Sequence, residues 1–175
     1  GEVVLVGKPS DAETNPAMWE NLTSRLAKGA GVVFLSGQVF QNGGAGMNWL
    51  PLKNKGQCRA VHDWLYHKLC VANRSPVFDG LPAPGIMDWD YYGPITPREV
   101  FEGQDTPDET IVAGFATGNA QFGRGYGSCL IIALYKSGEG RFILSTPYIL
   151  ENLDSHPAAD RLLLNLIRHA RGQER

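Results

Sequence analysis

The stretch G-V-V-F-L-S, residues 31–36, decides how the chain folds. Its apolar run, rich in β-branched and aromatic side chains and bounded by Gly and Ser, marks a strand. The segment before it, P-A-M-W-E-N-L-T-S-R-L-A-K at 16–28, places Trp19, Leu22 and Leu26 on one face of a helix that Gly29 ends. Earlier still, E-V-V-L-V at 2–6 reads as a short buried strand. A strand, a helix and a second strand in this order imply parallel strands joined by a crossover helix.

Downstream, Q-N-G-G-A-G-M-N-W at 41–49 is too glycine-rich to be expected as regular structure. A helix is predicted over about 56–70, where Val61, Trp64, Leu65 and Leu69 share a broad apolar face. Residues 73–110 carry prolines at 76, 82, 84, 94, 97 and 107, which leaves room only for short strands at 99–101 and 110–115. S-C-L-I-I-A-L-Y at 128–135, the turn K-S-G-E-G and R-F-I-L-S-T at 141–146 form a hairpin. A last helix over 156–170 starts with Pro157 in its first turn and carries Ala159, Leu162, Leu163, Leu166, Ile167 and Ala170 as its core face. The expected architecture is a single α/β domain over 1–175, a sandwich with a mostly parallel sheet and a C-terminal antiparallel hairpin.

The bulk properties exclude whole classes of partner. With 175 residues, 43% hydrophobic and 19% charged, the chain is long enough to bury a core without staples. A net charge of -2 argues against a nucleic acid or an anionic membrane. Cys58, Cys70 and Cys129 have neither disulfide-framework nor zinc-ligand spacing and read as buried apolar residues; no metal or other cofactor is expected. The chain opens at Gly1 directly into a strand and reads as part of a longer protein.

Catalytic motifs find little support. The glycines of 37–46 lack the G-K-[ST] of a phosphate-binding loop, although the loop leaves a strand at the edge where open α/β sheets bind ligands. A flexible loop and a contact surface built around Asn42, Asn48 and Trp49 are both open readings. No G-x-S-x-G is present, and Cys129 sits inside a strand pattern. His62 and His67, five apart, do not share a helix face as a metal pair would; His156 reads as a capping or surface residue, and a free-standing hydrolase using Cys129 and His156 with a carboxylate stays an open alternative.

The richest segment is M-D-W-D-Y-Y-G-P-I, residues 87–95. As an extended strand it would place Asp88 and Asp90 on one side and Trp89 and Tyr91 on the other. Three readings stay open. The aromatics, with Tyr92 against Pro94, brace an irregular loop; or Asp88, Trp89, Asp90, Tyr91 and Tyr92 contact a ligand or another domain, with rings covering apolar sugar faces and carboxylates accepting hydroxyl hydrogens. In the third, Asp88 and Asp90 act as a hydrolytic carboxylate pair.

Several phrases together, V-V-F-L-S at 32–36, S-P-V-F-D-G-L-P at 75–82, W-D-Y-Y-G-P at 89–94, K-S-G-E-G-R-F-I-L-S-T at 136–146 and H-P-A-A-D-R-L-L-L-N-L-I at 156–167, carry a resemblance. They resemble the class I glutamine-amidotransferase-like domain that accompanies bacterial glycoside hydrolases related to β-galactosidases and β-glucuronidases. The resemblance implies a three-layer, flavodoxin-like sandwich. The parent family's cysteine elbow G-x-C-x-G and its late H-x-E are absent here, so the resemblance implies a fold without the original chemistry. Its implied role is a non-catalytic accessory or assembly domain. The implied partners are other domains of the same polypeptide, a second copy or a carbohydrate, and the implied setting is the periplasm or exterior of a bacterium.

Overall fold

The computed structural model describes residues 1–8, 16–43, 45–61, 69–117 and 126–172. Strand β1 (Val3–Val6), helix α1 (Pro16–Ala27) and strand β2 (Gly31–Phe34) form the unit that the opening sequence dictates. β1 and β2 pair in parallel from Val3 opposite Gly31 to Val6 opposite Phe34.

The chain then runs through 3₁₀ turns at Gly37–Gly43 and a short helix α2 (Ala45–Trp49), so the glycine-rich stretch is more regular than its composition suggests. Strands β3 (Lys55–Ala60), β4 (Leu69–Ala72) and β5 (Gly85–Ile86) follow, then a single helical turn α3 (Trp89–Tyr92). Strands β6 (Glu99–Gln104), β7 (Glu109–Thr117), β8 (Tyr126–Ser137) and β9 (Gly140–Ser145) lead to the closing helix α4 (Pro157–Ala170).

These strands make one open sheet in the order β1-β2-β9-β8-β7-β4-β5, with β6 branching from β8 and β3 pairing with β6. Among the described residues only β1–β2 and β2–β9 are parallel; β8–β9, β7–β8, β4–β7, β4–β5, β3–β6 and β6–β8 are antiparallel. The expected mostly parallel sheet is therefore corrected to a mixed, mostly antiparallel one. The physical reason lies in β8. It is 12 residues long, pairing with β7 from Tyr126 to Leu134 and with β9 from Ile132 to Ser137, and it touches β6 at Leu130. One long central strand thus recruits antiparallel neighbours from the middle of the chain.

The predicted helix over 56–70 is also corrected. Lys55–Ala60 and Leu69–Ala72 are strands, while Trp64, Leu65 and the histidines at 62 and 67 lie outside the described residues. Cross-strand chemistry makes Lys55–Ala60 a strand despite its lack of β-branched residues. Arg59 donates to both carboxylate oxygens of Glu102 on β6, at 2.7 and 2.8 Å, and Gln104 donates from its side chain to the Lys55 and Gln57 carbonyls.

Alternation along the parallel strands divides the core into two layers. Val32 and Phe34 of β2, with Phe142 and Leu144 of β9, meet Trp19, Leu22 and Leu26 of α1. Val33 and Ile143 face the other way, toward Ala158, Ala159, Leu162 and Leu166 of α4. Two glycines let the helices sit this close. A Cβ on Gly31 would lie 2.4 Å from the Ala170 carbonyl oxygen at the end of α4, and one on Gly140 would lie 2.2 Å from that of Leu26 at the end of α1. Helix α4 starts as expected, with Pro157 in its first turn and the His156 ring nitrogen Nδ1 accepting from the Ala158 amide at 3.3 Å.

Candidate functional site

The 87–95 segment is built on the free edge of the sheet. β5 pairs with β4 through Val71 opposite Ile86, and the chain then turns out of the sheet. Asp88 caps the next turn, its carboxylate oxygen Oδ1 accepting from the Tyr91 amide at 2.7 Å. A capping carboxylate two or three residues before the amides it satisfies is an ordinary way to start a helix. The expected extended strand with its two aspartates side by side is thus replaced by one helical turn, with Asp88 as its cap and Asp90 inside it.

The turn is braced from below. Tyr92 is 1% exposed, its hydroxyl donates to the Pro82 carbonyl at 2.7 Å, and its ring meets Phe78 edge-on. Burial, with Tyr91 and Asp88 nearby, pushes the Tyr92 phenol up to about 12. Tyr91 is half-buried, its ring edge-on to Tyr92 at 4.8 Å and to His156 at 5.8 Å. Asn152 donates to the Pro94 carbonyl, the Tyr148 amide to that of Ile95, and Thr96 to that of Tyr92.

On this base Trp89 is 67% exposed. A Cβ on Gly93 would lie 3.5 Å from Cδ2, Cε2 and Nε1 of the indole alike, so the ring lies flat over the Gly93 backbone. One face rests on main chain and the other meets solvent. Asp88 and Asp90 are exposed on the same turn. Among the described residues the Trp89 indole N–H has no hydrogen-bond partner. The arrangement is a flat apolar surface with one free donor and two carboxylate acceptors beside it, held by a rigid support.

The other candidates sit elsewhere. Asn48 is exposed, and its carbonyl accepts from Lys55 Nζ. Trp49 packs among Trp19, Phe34 and Phe142, and its indole N–H donates to Thr23 Oγ1 at 2.8 Å and to the Trp19 carbonyl at 3.1 Å. Its role in the structure is to join α2 to the core. The Asn42 side chain lies outside the described residues.

At the carboxyl ends of β2 and β9, where open sheets carry chemistry, the chain fills the space with its own side chains. A Cβ on Gly37 would lie 2.8 Å from Glu99 Cβ and 3.2 Å from both Cys58 Sγ and Thr146 Cγ2. The Cys58 thiol donates to the Gly37 carbonyl at 3.3 Å, and burial with the neighbouring Glu99 pushes it up to about 12. Such a group stays a thiol at neutral pH, not a nucleophilic thiolate. Glu99 shares a hydrogen bond with Tyr148, whose phenol is raised by burial and by that carboxylate. Sequence reading missed this cluster, because Gly37, Cys58, Glu99 and Thr146 come from four separate segments with no spacing to link them.

Cys129 lies in the α4-side core layer, where a Cβ on Gly114 would come within 2.6 Å of its sulfur, while His156 is occupied as the α4 cap. Among the described residues no three His, Cys, Asp or Glu side chains converge as metal ligands, and no helix is long and apolar enough to cross a membrane.

Compared with known proteins, the chain matches no family model and no curated protein.

Proposed function

We propose that this domain is a non-catalytic recognition module that binds carbohydrate on the Trp89 turn. The observation that carries the reading is the indole lying flat on Gly93 with its outer face open. A pyranose presents C–H bonds on one face and hydroxyls around its rim. An indole face covers the former, and Asp88, Asp90 and the indole N–H match the latter. The bracing by Tyr91 and Tyr92 means that little side-chain freedom is lost on binding. Of the two aspartates, Asp88 already serves as a helix cap, which favours binding over a hydrolytic carboxylate pair.

The wider setting, an accessory domain of a larger bacterial carbohydrate-processing protein with a flavodoxin-like, glutamine-amidotransferase-like ancestry, rests on the sequence phrases quoted above. The raised Cys58 thiol is in keeping with that non-catalytic role. Electrophoresis through native gels containing dissolved polysaccharides tests the proposal. The wild type should be retarded by at least one polysaccharide and Trp89→Ala by none; equal mobility of the two proteins in every gel would contradict it.

A further inference from the structure

A second cleft lies between α4 and the Pro76–Gly80 turn, remote in composition from the Trp89 turn and sharing no residue with it. We infer that it binds a small organic oxyanion, a phosphate ester or a carboxylate, through Arg161 and Arg168.

Three features carry the inference. First, Arg161, Asn165 and Arg168 follow one another at intervals of four and three and so share one face of α4, the face lining the cleft. Second, the cleft is organised before any ligand arrives. Buried Asn165 donates to the Val77 and Asp79 carbonyls at 2.9 and 3.0 Å, and Arg161 Nε donates to the same Asp79 carbonyl at 2.8 Å. The guanidinium is thereby fixed through one nitrogen by a neutral acceptor, which leaves its charge unspent and its terminal nitrogens oriented. Third, the charge is unbalanced. Among the described residues neither Arg161 nor Arg168 forms an ion pair, whereas His169 at the cleft edge is already held by Glu109 at 2.7 Å. Among the described residues that line the cleft, two guanidiniums are thus set against one carboxylate, that of Asp79.

The space, about 550 Å³, exceeds what a bare inorganic ion fills and suits an anion carrying an organic group of sugar size. A guanidinium fork bonds two oxygens of a phosphate or carboxylate at once, so both chemistries satisfy the site.

Titration calorimetry at low salt with glucose 6-phosphate, glucuronate and inorganic phosphate decides the matter. The expected result is binding of at least one of the two organic anions more tightly than inorganic phosphate. The phosphate and carboxylate arms show which oxyanion is preferred. Arg168→Gln, an exposed change, should weaken that binding about tenfold, as loss of a charge-assisted hydrogen bond does. Arg161→Lys keeps the charge but loses the fork and should weaken it too, with a thermal melt run alongside to show that the turn still folds. Trp89→Ala should leave the anion affinity unchanged, which separates this site from the carbohydrate surface. The inference is overturned by absence of heat with all three anions at millimolar concentration. It is equally overturned by wild-type affinity in Arg168→Gln, or by loss of anion binding in Trp89→Ala.

Discussion

Asp88 Oδ1 accepts the Tyr91 amide hydrogen at 2.7 Å, and this bond fixes the direction in which Trp89 leaves the sheet edge. The carboxylate acts by geometry, so Asp88→Asn, which keeps an acceptor oxygen, should hold the turn. Asp88→Ala should cost about 1 kcal/mol. Chemical denaturation of the two variants checks this, and the account expects Asp88→Asn to retain carbohydrate binding. A hydrolytic role for Asp88 predicts the opposite, a variant that folds and does nothing.

The cross-strand contact between Arg59 and Glu102 gives a second prediction. Both side chains are partly buried and meet at two points, a geometry stronger than an exposed ion pair. Removing one partner by Arg59→Met should destabilise by about 1–3 kcal/mol, and the double change Arg59→Met with Glu102→Met should recover part of that loss. Urea unfolding of the single and double variants measures the coupling.

Glycine at 31 and 140 should not tolerate even a methyl group, because each position faces the main-chain carbonyl of a helix end at 2.4 and 2.2 Å. Gly31→Ala and Gly140→Ala should each lose about 1–3 kcal/mol through overpacking, seen as a lowered melting temperature. Gly138, with nothing within 4 Å of its Cβ position but a φ of +59°, should lose only the smaller cost of a left-handed backbone.

These close approaches mark how far the fold could be read from sequence. Helix α1, strand β2, the β8–β9 hairpin and α4 were legible because their apolar residues repeat at the period of the element they form. Strand β3 was not, since K-G-Q-C-R-A has no strand-like composition and is held by β6, which pairs Lys55 with Gln104 and Ala60 with Glu99. A similar separation hid the pairing of β4 with β7, where Leu69 lies opposite Phe115 and Ala72 opposite Val112. At the candidate site, composition singled out 87–95, but the period-two reading of its aspartates failed. The signal that would have corrected it was an aspartate at a helix N-cap. Arg161 and Arg168 share a helix face that periodicity exposes, but only the Asp79 carbonyl, brought in from another segment, gives that face a cleft.

Alkaline conditions should weaken the fold. The Cys58 thiol, ordinarily near 9.0, and the Tyr92 phenol, ordinarily near 10.0, are each pushed up to about 12, and the Tyr135 phenol is raised by burial and by Asp105. For such acids the folded chain holds its protons longer than the unfolded chain. Their contribution is therefore fully present below pH 9 and is lost as pH rises from there toward 12. Melting temperature should fall across that window, and Tyr92→Phe should flatten part of the decline. The same shift predicts that Cys58 resists alkylation at neutral pH until the protein is unfolded, which a mass-spectrometric labelling time course reads directly.

Titration calorimetry of wild type and Trp89→Ala in parallel, against galactosides, glucuronides and plant-type oligosaccharides, decides whether the open face of Trp89 is a carbohydrate platform. The account predicts heat with at least one neutral oligosaccharide and its loss in Trp89→Ala, with the melting temperature unchanged because the side chain is 67% exposed. Silence with every neutral oligosaccharide, or equal heat from both proteins with each neutral oligosaccharide that binds, would contradict it.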